Sequence, residues 1–127
     1  MNKTLKYVFN ISVIFLIIIS LWPGSLAGYL FYGDFGKQPD FIESSIGTSI
    51  NHFICYTYVS LLGFFIYSKN KNFHKLVYGL FFLSIILEVF HIVIPKRSFQ
   101  LSDLLGNIFG VIVAYLVIKI YLSFSKS

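Results

Sequence analysis

Four long apolar runs, separated by short polar segments, constrain this sequence more than any other feature. They extend over about residues 7–32, 46–67, 76–94 and 101–122. Each run is near or above the roughly 20 residues that an α-helix needs to cross the hydrocarbon core of a bilayer. None shows the alternation expected of a membrane β-barrel strand. The pattern predicts an all-α integral membrane protein with about four transmembrane helices.

Composition indicates the same class. Hydrophobic residues make up 57% of the 127 residues and charged residues only 12%, a balance far too apolar for a soluble domain. We therefore predict a single membrane domain over residues 1–127. The net charge of +5 does not indicate nucleic-acid binding, because the basic residues are scattered at the ends of the apolar runs. Membrane lipids are the expected partners instead.

The Lys and Arg residues also predict how the chain is oriented. One side of the membrane would carry the lysines of the amino end, the middle loop and the carboxyl end, and the other side only Lys37, Lys96 and Arg97. Because cytoplasmic segments are enriched in Lys and Arg, we predict a multi-pass protein of the cell (cytoplasmic) membrane with both termini in the cytoplasm. The loops over residues 33–45 and 95–100 then lie outside.

The first apolar run contains a segment, Pro23 to Ala27, that resembles a signal-peptidase site. The run continues beyond this segment to Tyr32, which gives it enough length to span a membrane. We therefore predict that the amino end is retained as a transmembrane helix and is not cleaved.

The polar residues that are most costly in a membrane are concentrated around the turn between the third and fourth runs. Glu88 and His91 are three residues apart, and Asp103 and Asn107 are four apart, so each pair shares one helix face. Pro95 ends the third run and allows the two faces to fold together. We interpret this stretch as the functional site.

Depth in the membrane brings residues of separate runs to one level. With the rise of an α-helix, Glu88 lies roughly 10 Å below the outer surface, and His52 and Asn107 lie roughly 9 Å below it. An ionised carboxylate that faces lipid costs about 2.5–3.5 kcal/mol, so Glu88 should point inward. We expect Arg97 to pair with Glu88 by reaching back from the turn, with His52 as the other candidate partner.

These residues also allow two other interpretations. Glu88 and His91 have the E-x-x-H spacing of metal ligands, and His52 or Asp103 could add further ligands. A single E-x-x-H is a weak signal, because di-iron sites need a second motif and more carboxylates, so we predict no metal and no cofactor. Alternatively, the polar residues serve only to join the helices through hydrogen bonds.

Small residues recur at intervals of four in the last apolar run, at Gly106, Gly110 and Ala114. This spacing permits close packing of helices. The partner helix could belong to the same chain or to a second copy, so a homo-oligomer is an open alternative.

The central stretch resembles the VanZ-like membrane proteins in its spacing. Their pattern of Glu, Gln, Pro-Gly-Arg, Asp, Asn and Gly is matched in this sequence by Glu88, His91, Pro95-Lys96-Arg97, Asp103, Asn107 and Gly110. The segment over residues 51–65 is also similar to the second helix of the family. The sequence departs from the pattern where His91 replaces Gln, Lys96 replaces Gly, and Thr48-Ser49 replaces Asp-Lys.

The resemblance implies a role in the cell envelope rather than a particular reaction. The family is named for a member associated with low-level resistance to the glycopeptide antibiotic teicoplanin. A link to glycopeptide resistance is therefore an expectation for this chain.

Two functions are compatible with these observations. The first is binding of an anionic lipid or a lipid-linked envelope precursor at the outer face, with Lys96 and Arg97 holding phosphate, because the planar fork of arginine can make two parallel bonds. The second is a membrane enzyme that acts on a lipid phosphate, with Glu88 or His91 as acid or base. The predicted ligand-binding residues are His52, Glu88, His91, Lys96, Arg97, Asp103 and Asn107.

Overall fold

Five α-helices make up the regular structure of residues 2–126, which are the residues that the computed structural model describes. They are α1 (Lys3–Leu21), α2 (Leu26–Tyr32), α3 (Ser49–Tyr67), α4 (Phe73–Phe90) and α5 (Leu101–Phe124). Helices α1, α3, α4 and α5 are long and apolar enough to cross a membrane. No strand occurs within the described range. The predicted all-helical, multi-pass membrane protein is therefore confirmed.

The first predicted span is wrong in one respect, because it is not a continuous helix over residues 7–32. Helix α1 starts earlier, at Lys3, and stops where Trp22 adopts an extended conformation (φ −69°, ψ 135°). A residue that precedes proline is pushed out of the helical region, and Pro23 follows. Gly24 then takes a positive φ of 80°, which turns the chain before α2.

Helix α2 packs against the loop that follows it, residues 33–48. The hydroxyl of Ser25 accepts a hydrogen bond from the Gly28 N–H at 2.9 Å, and the Ser25 N–H donates to the Phe35 carbonyl at 2.7 Å. A Cβ on Gly28 would overlap the Lys37 carbonyl, so only glycine allows this approach. The loop is thereby held near the end of α1.

Helix α4 ends at Phe90, earlier than the predicted Ile94. His91 is its C-cap, and turns then carry the chain through Pro95 to Lys96, whose φ is 61°. This left-handed conformation costs roughly 1–2 kcal/mol for a residue that has a side chain, whereas glycine adopts it freely. Glycine at the matching position of the VanZ-like pattern fits this geometry.

The small residues of α5 lie against α3 of the same chain. A Cβ on Gly106 would come within 2.7 Å of the Ser49 carbonyl oxygen, and one on Gly110 within 2.8 Å of the Phe53 carbonyl oxygen. Ala114, one turn beyond Gly110 on α5, is fully buried. The small-residue face is used within the chain, so it gives no support to the homo-oligomer alternative.

Aromatic side chains pack at the end of the bundle where α3 ends and α4 begins. Phe64 of α3 stands edge-on to Phe73 of α4 and Tyr115 of α5, at centroid distances of 5.6 and 6.2 Å. Phe9, near the start of α1, contacts Tyr67 at the end of α3 in the same way, at 5.9 Å. The start of α1 and the later turns of α5 therefore share one end of the bundle.

The direction of the bundle in the membrane stays a prediction, and cysteine labelling can test it. In a Cys55→Ala background, we expect Phe99→Cys to react with a membrane-impermeant thiol reagent on intact cells, because Phe99 is 39% exposed in the turn before α5. Lys71→Cys, in the exposed turn between α3 and α4, is the matched control and should react only after lysis. Labelling in the reverse order would contradict the predicted orientation.

Candidate functional site

Polar side chains from α3, α4, the turn after α4, and α5 meet at the end of the bundle opposite the aromatic residues. We name this group the polar cluster. Its members are Ser49, His52, Glu88, His91, Asp103 and Asn107. All are buried except His52, which is half-buried. The cluster therefore lies among the helices rather than on the surface that faces lipid.

Asn107 joins three helices at the centre of the cluster. Its Nδ2 donates to the Ser84 carbonyl of α4 at 3.0 Å. Its Oδ1 lies 2.9 Å from Nδ1 of His52 on α3. An amide oxygen only accepts, so His52 Nδ1 carries the proton in this contact. The expected meeting of His52 and Asn107 at one depth is thus observed.

Glu88 is completely buried, with 0% of its surface exposed. Its Oε1 accepts a hydrogen bond from the Gln100 N–H at 3.1 Å. Its Oε2 lies 3.1 Å from His91 Nδ1 and 3.9 Å from His52 Nδ1, and it has no hydrogen-bond partner among the described residues. The inward orientation predicted for this carboxylate is observed.

Asp103 is held in the cluster by a residue that sequence reasoning did not assign to the site. Its Oδ1 accepts a hydrogen bond from the Ser49 hydroxyl at 2.7 Å, and its Oδ2 lies 3.5 Å from His52 Nε2. Ser49 is one of the positions at which this sequence departs from the VanZ-like pattern. That departure, together with the polar first turns of this span, was the sequence signal that could have identified it.

The end of α1 supplies backbone acceptors to two of the predicted site residues. His91 Nε2 donates to the Ser20 carbonyl at 2.9 Å. Arg97 donates through Nη2 to the Ile19 carbonyl at 2.7 Å and through Nε to the Trp22 carbonyl at 3.2 Å. The last carbonyls of a helix lack helical partners and carry partial negative charge, so a cation is favoured here.

The expected direct pairing of Arg97 with Glu88 is wrong. Within the described chain, the ion-pair partners of Glu88 are His52 and His91. The break at Pro23 ends α1 and frees carbonyls that lie within reach of the guanidinium. These carbonyls accept the hydrogen bonds of Arg97. His91, rather than Arg97, lies beside the Glu88 carboxylate.

Arg97 keeps one guanidinium nitrogen that makes no hydrogen bond within the described residues. Its bonds to α1 use Nε and Nη2, and Nη1 has no partner within residues 2–126. Burial lowers the pKa of the Arg97 guanidinium from its ordinary value, while the Glu88 and Asp103 carboxylates act to raise it. Arginine stays charged under these conditions, because its guanidinium is protonated throughout the physiological pH range.

A cavity of about 120 Å³ opens beside the cluster. His52, His91 and Arg97 form part of its wall, and neither Glu88 nor Asp103 lines it. The rest of the wall is largely apolar and comes from α1, the start of α2, the 33–48 loop and α3. The groups that can carry positive charge therefore face the cavity, and the carboxylates lie behind them.

Asn51 fixes the loop that covers this cavity. Its Nδ2 donates to the Pro39 carbonyl at 2.6 Å, and its Oδ1 accepts from the Phe41 N–H at 2.9 Å. Pro39 and Phe41 both line the cavity. This contact of Asn51 was not predicted from the sequence.

Among the predicted ligand-binding residues, Lys96 is the one that the structure separates from the others. Its side chain is exposed and does not line the cavity. The left-handed turn at Lys96 directs the next residue, Arg97, toward α1. His52, His91 and Arg97 reach the cavity, whereas Glu88, Asp103 and Asn107 support them from inside the bundle.

Comparison with known proteins was made at three levels. The curated proteins and the solved structures each gave no match. A protein-family model, described as VanZ/LLP1, matches residues 4–122. The matched range covers nearly all of the chain and includes every member of the polar cluster together with Arg97. The chain belongs to the VanZ/LLP1 family.

Proposed function

We propose that this protein binds the phosphate head group of an anionic lipid in the cavity beside the polar cluster. The observation that carries the proposal is the position of Arg97, a half-buried cation in the wall of a largely apolar cavity. Arginine is the side chain best suited to phosphate, because its planar fork presents several donors at once.

The guanidinium is held in place before any ligand binds. Two of its nitrogens are fixed on carbonyls at the end of α1, and Nη1 is left for the ligand. A cation that is already oriented loses less conformational entropy on binding, which raises affinity. The bonds to α1 therefore support binding as well as structure.

The size of the cavity supports a head group rather than a whole lipid. Its volume of about 120 Å³ is below the roughly 300–1,000 Å³ of pockets that enclose drug-sized ligands. Exposed apolar side chains surround this end of the bundle, including Ile92 and Val93 in the turn after α4. The lipid chains would lie along this surface while the phosphate reaches Arg97.

The geometry favours binding over catalysis on the lipid. A general acid or base must come within hydrogen-bond reach of the group on which it acts. Glu88 does not line the cavity, and His91 does, but the His91 Nε2 proton is committed to the Ser20 carbonyl. Of the two residues suggested as acid and base, neither presents a free proton donor to the cavity.

Thermal unfolding in detergent tests the proposal. We expect phosphatidic acid, phosphatidylglycerol or a polyprenyl monophosphate to raise the unfolding midpoint of the wild type by on the order of 5–10 °C at saturation. Phosphatidylcholine, whose phosphate is masked by a cation, should raise it much less. Arg97→Gln should remove most of the shift, and Arg97→Lys should keep part of it because the charge remains without the fork.

Lys96→Gln is the matched control, because it removes one positive charge from the neighbouring exposed position. It should keep the full response to anionic lipid. If Lys96→Gln and Arg97→Gln lost the lipid-induced shift in unfolding midpoint equally, only the overall charge of the turn would matter. The cavity would then not be the binding site. A stronger response to polyprenyl monophosphate than to the phospholipids would favour a lipid-linked envelope precursor and a link to glycopeptide sensitivity.

A further inference from the structure

We propose that the polar cluster binds a divalent transition-metal ion through His52, Glu88 and Asp103. One ligand atom from each of these residues lies within 4.8 Å of the other two. Imidazole and carboxylate are ligands of Zn²⁺, Mn²⁺ and Fe²⁺ in proteins. The sequence argued against a metal because it contains one E-x-x-H motif, but the fold brings the additional ligands from α3 and α5.

Each carboxylate of the cluster turns one oxygen toward His52 and has its other oxygen occupied. Glu88 Oε1 accepts from the Gln100 N–H, and Asp103 Oδ1 accepts from the Ser49 hydroxyl. Oε2 and Oδ2 are the oxygens that face the ring. In proteins, metal-binding side chains are commonly held in place by hydrogen bonds to the atoms that do not bind the metal.

Each of the two histidine rings is also held by a hydrogen bond from one of its nitrogens. His52 Nδ1 donates to the Asn107 amide oxygen, and His91 Nε2 donates to the Ser20 carbonyl. In a neutral ring the second nitrogen then carries a lone pair. His52 Nε2 faces Asp103 Oδ2 at 3.5 Å, and His91 Nδ1 faces Glu88 Oε2 at 3.1 Å. These lone pairs face carboxylate oxygens, so each nitrogen–oxygen pair needs a proton or a metal ion between its two atoms.

A metal ion fits this requirement better than a proton on each ring. Glu88 Oε2 is fully buried and has no hydrogen-bond partner within residues 2–126, although His91 Nδ1 lies 3.1 Å away. A proton on Nδ1 is therefore not aligned with that oxygen. Two ligands of a tetrahedral Zn²⁺ are about 3.4 Å apart. This is close to the 3.5 Å between His52 Nε2 and Asp103 Oδ2 and to the 3.1 Å between His91 Nδ1 and Glu88 Oε2, while Glu88 Oε2 lies 3.9 Å from the other nitrogen of His52, Nδ1.

The metal site shares His52 and His91 with the cavity wall, but it does not use Arg97, on which the lipid proposal rests. Its carboxylate ligands lie behind the cavity wall and do not line it, so metal binding and lipid binding can succeed or fail separately. His91 Nδ1 is the nearest additional nitrogen and would supply the fourth ligand after a small shift.

Metal analysis of the purified protein is the first part of the test. The full chain, isolated in detergent through a tag that contains no histidine, should carry about one transition-metal ion per chain. After treatment with a chelator, ZnCl₂ should raise the thermal unfolding midpoint, and MgCl₂ at the same concentration should not, because Mg²⁺ prefers oxygen ligands alone.

Variants separate the site from incidental zinc binding. His52→Gln should lose the response to Zn²⁺, whereas His74→Gln, in α4 near the opposite end, should keep it. Ser49→Ala removes only the hydrogen bond to Asp103, so it should stay folded and bind Zn²⁺ about 10–100-fold more weakly. No response in the wild type, or an unchanged response in both His52→Gln and Ser49→Ala, would overturn the proposal.

Discussion

Replacing Gly110 with alanine should destabilise the folded protein by about 2 kcal/mol, because the added methyl group has no room. Its Cβ would lie 2.8 Å from the Phe53 carbonyl oxygen and 2.9 Å from the Thr57 amide nitrogen. Both are backbone atoms of α3, so relief requires moving a helix rather than a side chain. The measurement is the free energy of unfolding in micelles, obtained by titration with a denaturing detergent.

Gly79→Ala is the matched control for this substitution. Gly79 also lies within a helix, α4, but its added Cβ would meet no atom within 4 Å. Alanine is a better helix former than glycine by about 0.8–1.0 kcal/mol, so this variant should be more stable than the wild type. If both glycine variants shift stability in the same direction, close packing of α5 on α3 is not what requires Gly110.

Replacing Asn107 with leucine should cost about 2–3 kcal/mol of folding free energy. Leucine has a similar size, so the main loss is that of the hydrogen bonds made by the Asn107 side chain. The Nδ1 proton of His52 would lose its acceptor, and the tie to the Ser84 carbonyl of α4 would be broken. A donor left without a partner costs about 1–3 kcal/mol, more than the average of about 0.6 kcal/mol for a hydrogen bond between membrane helices.

Asn10→Leu controls for the change in side-chain chemistry. Asn10 is exposed on α1, and a substitution there should change stability by no more than about 0.5 kcal/mol. Equal effects of the two leucine variants would show that the Asn107 contacts contribute nothing specific. The same denaturing titration in micelles measures both variants.

The fold was predictable from the sequence because membrane spans depend on length and hydropathy. Four apolar runs gave four long helices, and most of their boundaries were close to those predicted. The break at Pro23 was missed because the apolar run continues through it to Tyr32, and composition alone cannot distinguish one long helix from two. The Trp22-Pro23 pair was the local signal that could have located the break.

The polar cluster was predictable in five of its six members, all except Ser49, but only partly in its contacts. Spacing along each helix placed Glu88, His91, Asp103 and Asn107 on helix faces, and depth brought His52 to their level. The partner of Arg97 could not be predicted, because the carbonyls at the end of α1 are backbone atoms that any residue type could supply. Side-chain patterns do not report such acceptors, and the fold alone brings them to Arg97.

Native mass spectrometry of the purified protein with its retained lipids tests the central claim most directly, namely that Arg97 binds the phosphate of an anionic lipid in the cavity. The wild type and Lys96→Gln should both retain an anionic phospholipid or a polyprenyl phosphate through purification in mild detergent. Arg97→Gln should lose that adduct while its mass and fold stay intact. Retention of the same anionic lipid by folded Arg97→Gln, or no lipid on the wild type, would contradict the claim.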